Sequence, residues 1–338
     1  MLLRCFKSII ICFSILIPIP IFALTLPLPS TGSNVVGRIH TIAVPRGYNI
    51  TDLGQKYSVG YLEFLEANPR VNINSLWTGE KLVLPTRYIL PSATRRGIVI
   101  NLAELRLYYF PPGKNIVYTF PIGIGRSHTP TPLIKTRIVS KRKNPTWIPT
   151  ADTHKEAMEM GIMLPTRVLP GPQNPLGKYA IRLGLRTYLI HGTNRPEGVG
   201  IKSSGGCIRM YPRDIKQLFH LVKIGTPVNI VDQAVKVGWR KNILYLEVHV
   251  PVDLKRGKTD ETLQPIMSLL KNEVLKWHAK IDWSRAILIA EHQTGIPAPV
   301  GRRYFKKKVD EVASEEKTIS QHEIYPQRNE QTDNTTHN

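Results

Sequence analysis

Hydrophobic positions along this chain recur with two different periods, and the change between them marks its units. From Gly97 onward, β-branched and aromatic runs are separated by Pro/Gly turns: Ile98 to Leu102, Leu105 to Phe110, Ile116 to Ile122, Thr136 to Ser140, Tyr179 to Leu183, Thr187 to Ile190 and Pro227 to Val231. Short runs bounded by turn residues predict strands. A helix is expected from about Pro212, where proline suits the first turn. Upstream the order differs: Arg38 to Val44 reads as a strand, Thr51 to Tyr57 and Tyr61 to Asn68 as short amphipathic helices, and Glu80 to Pro85 as a closing strand. Residues 86–96, with Pro91 and Arg95-Arg96, read as a linker. After Val231, Ile243 to Val250 reads as a strand, and Thr262 to Ile281 and Trp283 to His292 as helices. The expected fold class is α+β: a small βααβ unit at 38–86, a β-rich domain with short helices at 97–232, an appendix at 233–300 and a basic, then polar, tail at 301–338.

Two segments need a separate reading. Asn144 to Gly177 is rich in Pro and Gly, carries Trp147, and is too long for a simple connector. It either packs on the β-rich domain or covers a site. Gly123-x-Gly125 lacks the third glycine and following helix of a phosphate loop, so it is expected to be a turn.

The start of the chain bears on its compartment. Met1 to Ala23 carries Arg4 and Lys7, then an apolar run from Ile9 to Ile17, then Ile21-Phe22-Ala23 with a small residue before a cut. That pattern predicts a secretory signal peptide, and the uninterrupted apolar run is short for a bilayer span. Ile11 before Cys12 argues against a lipoprotein site. Its removal would take Cys5 and Cys12, leaving Cys207 as the one thiol of the chain's three and unpaired in an oxidising compartment. The formal net charge of +21 favours anionic partners. An exported chain without a binding motif excludes nucleic acid as the expected one. Arg302 to Lys308 is a basic cluster, open to reading as a solvated run or as a contact with membrane or wall polymer. The tail from Glu315 is expected to be disordered.

Candidate chemistry gathers in two neighbouring stretches, Tyr188-Leu189-Ile190-His191-Gly192-Thr193 and Ser203-Ser204-Gly205-Gly206-Cys207-Ile208-Arg209-Met210. A lone cysteine is most often a small buried hydrophobe. Here two glycines precede the sulfur, so the backbone can bend sharply and turn N–H groups toward an incoming carbonyl. A free thiol with a pKa near ~8.5 needs a base. His191 ends an apolar, β-like run and meets Gly192, so it projects from a rigid strand end. Cysteine, histidine and a glycine-shaped anion site together point to acyl transfer.

These residues resemble the catalytic motif of YkuD-type L,D-transpeptidases, cysteine enzymes of bacterial cell-wall peptidoglycan. The likeness extends over residues 97 to about 232, through Gly97 to Asn101, Leu105 to Tyr109, Pro121 to Gly125, Asn144 to Trp147 and Gly171 to Gly177. It implies Cys207 as nucleophile, His191 as base and the Gly192 carbonyl as the group orienting the imidazole. Backbone N–H groups near Gly206 and Cys207 would hold the oxyanion, with Ser204, Arg209 and Trp147 at the substrate. Arg209 reads equally as a carboxylate contact or a structural hydrogen-bond hub. Many members have histidine where this chain has Gly205, a departure expected to affect loop shape or substrate contact.

The resemblance further implies a thioester with the diaminopimelate of a tetrapeptide stem, release of D-Ala, a lid over the cysteine, and no metal or organic cofactor. The layout is most similar to the Gram-negative subgroup that anchors Braun-type lipoprotein. The acceptor is then a lipoprotein lysine or a second diaminopimelate, the location the periplasm, and the partners peptidoglycan stems and glycan strands, without a transmembrane anchor after processing. Water as acceptor would make the same site an L,D-carboxypeptidase or a hydrolase of the lipoprotein linkage. A non-catalytic wall binder is the remaining alternative. Residues 38–86 resemble a lysin motif (LysM), through Gly47, Asn68-Pro69 and Gly79-x-x-Leu82-x-Leu84-Pro85, with Tyr48 where the usual module has aspartate.

Overall fold

In the computed structural model, residues 24–185, 187–250 and 260–303 are described. The expected signal peptide, Cys5, Cys12, the Tyr304 to Lys308 part of the basic cluster and the polar tail lie outside them. The elements run β1 (Leu24–Pro27), β2 (Val35–Gly37), β3 (His40–Ala43), α1 (Ile50–Tyr57), α2 (Tyr61–Ala67), β4 (Lys81–Leu84), β5 (Arg87–Ile89), β6 (Gly97–Asn101), β7 (Arg106–Phe110) and β8 (Ile116–Pro121). Then follow β9 (Ile124–Gly125), β10 (Lys135–Lys143), α3 (Ala151–Glu159), β11 (Tyr179–Leu183), β12 (Leu189–His191), β13 (Lys202–Ser204), β14 (Ile208–Arg209), α4 (Pro212–Leu221) and β15 (Pro227–Val231). The last six are β16 (Val235–Arg240), β17 (Ile243–Val248), α5 (Asp260–Trp277), β18 (Ala279–Ile281), α6 (Trp283–His292) and β19 (Ala298–Arg303). The fold is mixed α+β and rich in sheet.

A nine-stranded sheet ordered β1-β8-β7-β6-β15-β10-β11-β12-β14 forms the frame. Every residue of β6 and β7 is buried, as expected for strands covered on both faces. On one face, Ile98, Ile100, Leu107, Phe120 and Ile181 pack under Ile215 and Leu218 of α4. On the other, Val99, Tyr108 and Val117 meet Leu26, Val36 and Tyr88. The chain upstream of Gly97 thus supplies one wall of the sheet.

The helices of the β3-α1-α2-β4 segment start where local chemistry fixes them. Asn49 caps α1, accepting from the Asp52 amide at 3.0 Å while Asp52 accepts from the Asn49 amide at 3.1 Å, a reciprocal capping box. Leu53, Val59, Phe64 and Leu82 form this segment's own core. Its link to the sheet is ionic: the buried Arg106 guanidinium of β7 makes two 2.8 Å bonds to Glu63 of α2 and a 2.9 Å bond to the Ser58 carbonyl.

Beyond β15, the sheet β16-β17-β19-β18 packs with α5 and α6 around Trp239, Leu246, Leu270, Ala290 and Val300. A buried charged cluster joins this unit to the rest. Lys236 Nζ lies 2.7 Å from Glu104 and 2.8 Å from Glu247. His249 lies 2.8 Å from Glu247 and 3.2 Å from Glu66 of α2. Burial alone would push His249 toward neutrality, but the two carboxylates outweigh it and raise its pKa to about 10. Replacing Lys236 by methionine leaves two buried carboxylates without their ammonium, and is expected to lower unfolding free energy by roughly 3–5 kcal/mol. Urea unfolding of the variant checks this; a midpoint equal to that of wild type would show the cluster to be without effect.

Several expectations change. The segment expected to be a linker contains β5, which pairs with β2 from Val35↔Ile89 to Gly37↔Arg87. Its three residues are too few to register as a periodic pattern. The helix expected over Thr262 to Ile281 stops at Trp277 because His278 takes a left-handed φ of 51°, and Ala279–Ile281 becomes a strand against β19. Gly123-x-Gly125 is not a free turn: Ile124 and Gly125 pair in parallel with β13. A Cβ on Gly125 would lie 2.2 Å from the Thr129 carbonyl oxygen, so glycine is needed for close backbone approach rather than for anion binding.

Candidate active site

Parallel pairing of β12 with β14 brings the two motifs together. The register sets Ile190 opposite Ile208 and His191 opposite Arg209. Ile190 and Ile208 face the core, so by strand alternation His191 and Arg209 share the other face, and Cys207 stands directly before β14. The strands are held further by the Met210 amide donating to the His191 carbonyl at 2.9 Å. Helix α4 follows at once and packs against β11, its Ile215 and Leu218 in the same core as Ile208.

The cysteine loop is braced from three sides. Gly206 has a φ of 102°, and a Cβ there would meet the Tyr188 ring at 2.9 Å. Ser204 Oγ donates to the Cys207 carbonyl at 2.5 Å and accepts from the Gly206 amide at 3.2 Å. Thr131 Oγ1 donates to the Gly206 carbonyl at 2.8 Å and accepts from the Gly125 amide at 3.0 Å. In the resting loop the Gly206 N–H, expected at the oxyanion, donates to Ser204 Oγ. Ser204 itself is buried and turned into the loop. A Cβ on Gly205 would meet no neighbour within 4 Å, so glycine is not required there by close backbone approach.

His191 is buried, and its Nδ1 lies 2.5 Å from the Gly192 carbonyl oxygen. A carbonyl only accepts, so Nδ1 carries the proton and Nε2 keeps its lone pair. Burial, reinforced by the positive Arg209, lowers the imidazole pKa to about 4 against the opposing Gly192 bond. Cys207 moves the other way: burial pushes the thiol up, with the Leu189 amide and Arg209 pulling it partly back. The resting sulfur lies 3.5 Å from the Thr187 carbonyl oxygen, which accepts its proton. Both shifts favour a neutral resting pair near pH 7, thiol with imidazole, in which His191 takes the proton only as the thiol reacts.

Reaction of the free thiol with iodoacetamide should accordingly rise with pH toward a midpoint above that of an ordinary cysteine, because burial raises the thiol. A plateau reached by about pH 7 would instead identify a stable thiolate–imidazolium pair.

Arg209 donates from Nη1 to Ser203 Oγ at 3.1 Å. Its Nε is buried and has no hydrogen-bond partner among the described residues. Arg126, Glu197 and Arg195 are its charged neighbours, together with Cys207. The long Asn144–Gly177 segment holds α3, capped by Thr150. From it Glu156 reaches Arg126 at 2.5 Å and His128 at 2.8 Å, while the Arg126 amide donates to the Ser204 carbonyl at 3.0 Å. Trp147 is half-buried in this segment and exchanges backbone bonds of 2.9 and 2.8 Å with Val168; none of these reaches the cysteine loop. Sequence reading missed α3, Thr131, Arg126 and Thr187. Helix α3 buries only Ala157, so it leaves almost no periodic signal.

Comparison with known proteins agrees with this geometry. The YkuD family, an L,D-transpeptidase catalytic domain, matches residues 95–230. The chain is 41% identical over 296 residues to the probable L,D-transpeptidase YcfS of Escherichia coli K12, covering 86% of this chain and 92% of that one. It is 40% identical over 285 residues to the probable L,D-transpeptidase ErfK/SrfK of Salmonella typhimurium, covering 82% and 91%. The probable L,D-transpeptidase YbiS of Escherichia coli K12 is 42% identical over 234 residues, covering 68% and 76%. With such likeness sustained along most of its length, and a histidine on β12 beside the strand that the cysteine loop leads into, the chain belongs to the L,D-transpeptidase family of cysteine acyltransferases.

Proposed function

We propose that Cys207 takes the acyl group of a peptidoglycan tetrapeptide stem as a thioester and passes it to an amine. The observation that carries this reading is the Nδ1 bond from His191 to the Gly192 carbonyl, which leaves Nε2 free as a base on the strand that pairs with β14, directly after Cys207. In the first step Nε2 takes the thiol proton as the S–C bond forms at the diaminopimelate carbonyl. The peptide C–N bond then breaks, and D-Ala leaves with the proton from the imidazolium. An acceptor amine attacks the thioester, its proton goes to Nε2, and the S–C bond breaks to restore the thiol.

The Cys207 amide takes the oxyanion role, since the Gly206 amide serves Ser204. Arg209, with an unpaired buried Nε, receives a donor carboxylate, and the segment carrying Trp147 and α3 acts as the lid. Residues 38–86 form a LysM-like unit that holds glycan, 97–232 the catalytic domain and 233–300 a C-terminal appendix. The signal peptide directs the chain to the periplasm, where a Braun-type lipoprotein lysine or a second diaminopimelate is the acceptor.

Incubating the full mature chain with disaccharide tetrapeptide, alone and with a lipoprotein C-terminal peptide, and weighing the products tests this proposal. D-Ala release together with a joined product supports it and names the acceptor. D-Ala release with water as the only acceptor would replace transfer by hydrolysis, and no release at all would overturn the reading.

A further inference from the structure

The strands that lead to the cysteine loop carry a second concave feature at their other end. β7 and β8 pair from Arg106↔Pro121 to Tyr109↔Tyr118. Pro121 leads on to Gly123, which bridges to Arg209 beside the nucleophile. The Tyr118 end is therefore remote from the site by roughly 15–20 Å of strand, at ~3.3 Å per residue. There a groove of about 880 Å³ opens between the Arg95-Arg96 segment, the β7–β8 hairpin and the end of α4.

Its lining combines two chemistries. Tyr109 and Tyr118 stack with centroids 6.2 Å apart and planes 26° from parallel. The Tyr109 hydroxyl donates inward to the Leu221 carbonyl at 3.2 Å, which leaves the half-buried Tyr118 ring as the outward platform. Around it stand Arg95, Arg96, Lys114 and Lys223, all exposed, and the lining contains no aspartate or glutamate. Four cations without a facing carboxylate repel one another and favour an anion. A flat aromatic face is what the apolar side of a sugar ring covers, and charge recognition alone would not call for it.

We infer that this groove binds an acidic oligosaccharide, with a sugar ring on Tyr118 and carboxylate or phosphate groups on Lys114, Lys223, Arg95 and Arg96. It shares no residue with the proposed acyl-transfer site. A glycan held there would lie at the opposite end of the strands that present the nucleophile.

Calorimetric titration of the full chain tests this with four probes: hexagalacturonate, phosphorylated maltohexaose, neutral chitohexaose and hexaglutamate. At least one acidic sugar should bind about tenfold or more tightly than both chitohexaose and hexaglutamate, a gap of about 1.4 kcal/mol. The tighter of the two names the acidic group. The double variant Lys114→Glu with Lys223→Glu should weaken that binding by about tenfold or more, as should Tyr118→Leu, which keeps apolar cover over Tyr109 but removes the flat face. D-Ala release from a soluble tetrapeptide should stay at the wild-type rate in both variants, showing that each is folded. Hexaglutamate binding as tightly as the acidic sugars would overturn the inference, as would failure of both acidic sugars to bind or their undiminished binding to the lysine double variant.

Discussion

Replacing Cys207 by alanine is expected to remove acyl transfer by about four orders of magnitude or more while leaving the fold intact. In the proposed mechanism the sulfur forms the thioester, and Cys207 is the only free cysteine among the described residues. Its side chain contributes little to the core: Ile208 and Met210 do the packing on the other face of β14, and the loop is held through backbone bonds from Ser204 and Thr131. The measurement is D-Ala release from disaccharide tetrapeptide, followed by mass, beside urea unfolding of the same preparation. Wild-type turnover by a folded alanine variant would remove the nucleophile from the account.

His191→Asn is the second large effect. Asparagine can still donate toward the Gly192 carbonyl, so strand-end geometry is preserved, but the lone pair at Nε2 is gone. Loss of a general base of this kind costs roughly 10²- to 10⁴-fold in rate. Wild-type enzyme adds a check through pH. Because burial and the Arg209 charge bring the imidazole down to about 4, the base stays neutral across the acidic range, and kcat/KM should fall only as pH drops through about 4. An acid limb near pH 6.5 would mean that His191 titrates as it would in water. Arg209→Lys should move that limb little, since one positive charge replaces another, whereas Arg209→Gln should move it upward.

The site was readable because its chemistry is local. His191 ends a strand whose apolar run is plain in sequence, and Gly205-Gly206 announce a bend directly before the sulfur. The parallel register that places His191 opposite Arg209 is another matter, since strands that close over an intervening crossover leave no mark in either stretch. What was unreadable is long-range and polar. Glu63 and Arg106 are buried together across 43 positions, and Lys236 meets Glu104 across 132. A charged residue in sequence reads as surface, and nothing nearby identifies its partner. The same contacts explain why the upstream segment should not be treated as a detachable anchor. Cutting the chain at Gly97 would remove β1 from the edge of the nine-stranded sheet and leave the Arg106 guanidinium buried without Glu63.

Ser204 and Gly206 have bonds within the cysteine loop that the motif alone does not announce. Both lie beside the nucleophile as expected, yet their side-chain and amide bonds go to each other and to the Cys207 carbonyl, so they shape the loop. Thr131 has the same function from a distant segment. It escaped notice because a threonine between two prolines reads as an ordinary turn residue.

The central claim, that Cys207 carries the acyl group between donor and acceptor, is tested most directly by trapping the intermediate. Wild-type enzyme is mixed with disaccharide tetrapeptide without added amine, quenched in acid within the first turnover, and measured as intact protein and then as peptides. The account predicts a protein heavier by the donor less D-Ala, with the added mass on the peptide containing Cys207 and removable by hydroxylamine, as a thioester should be. Turnover that proceeds with the adduct on another residue, or with unmodified enzyme throughout under conditions where acceptor attack is slow, would contradict it.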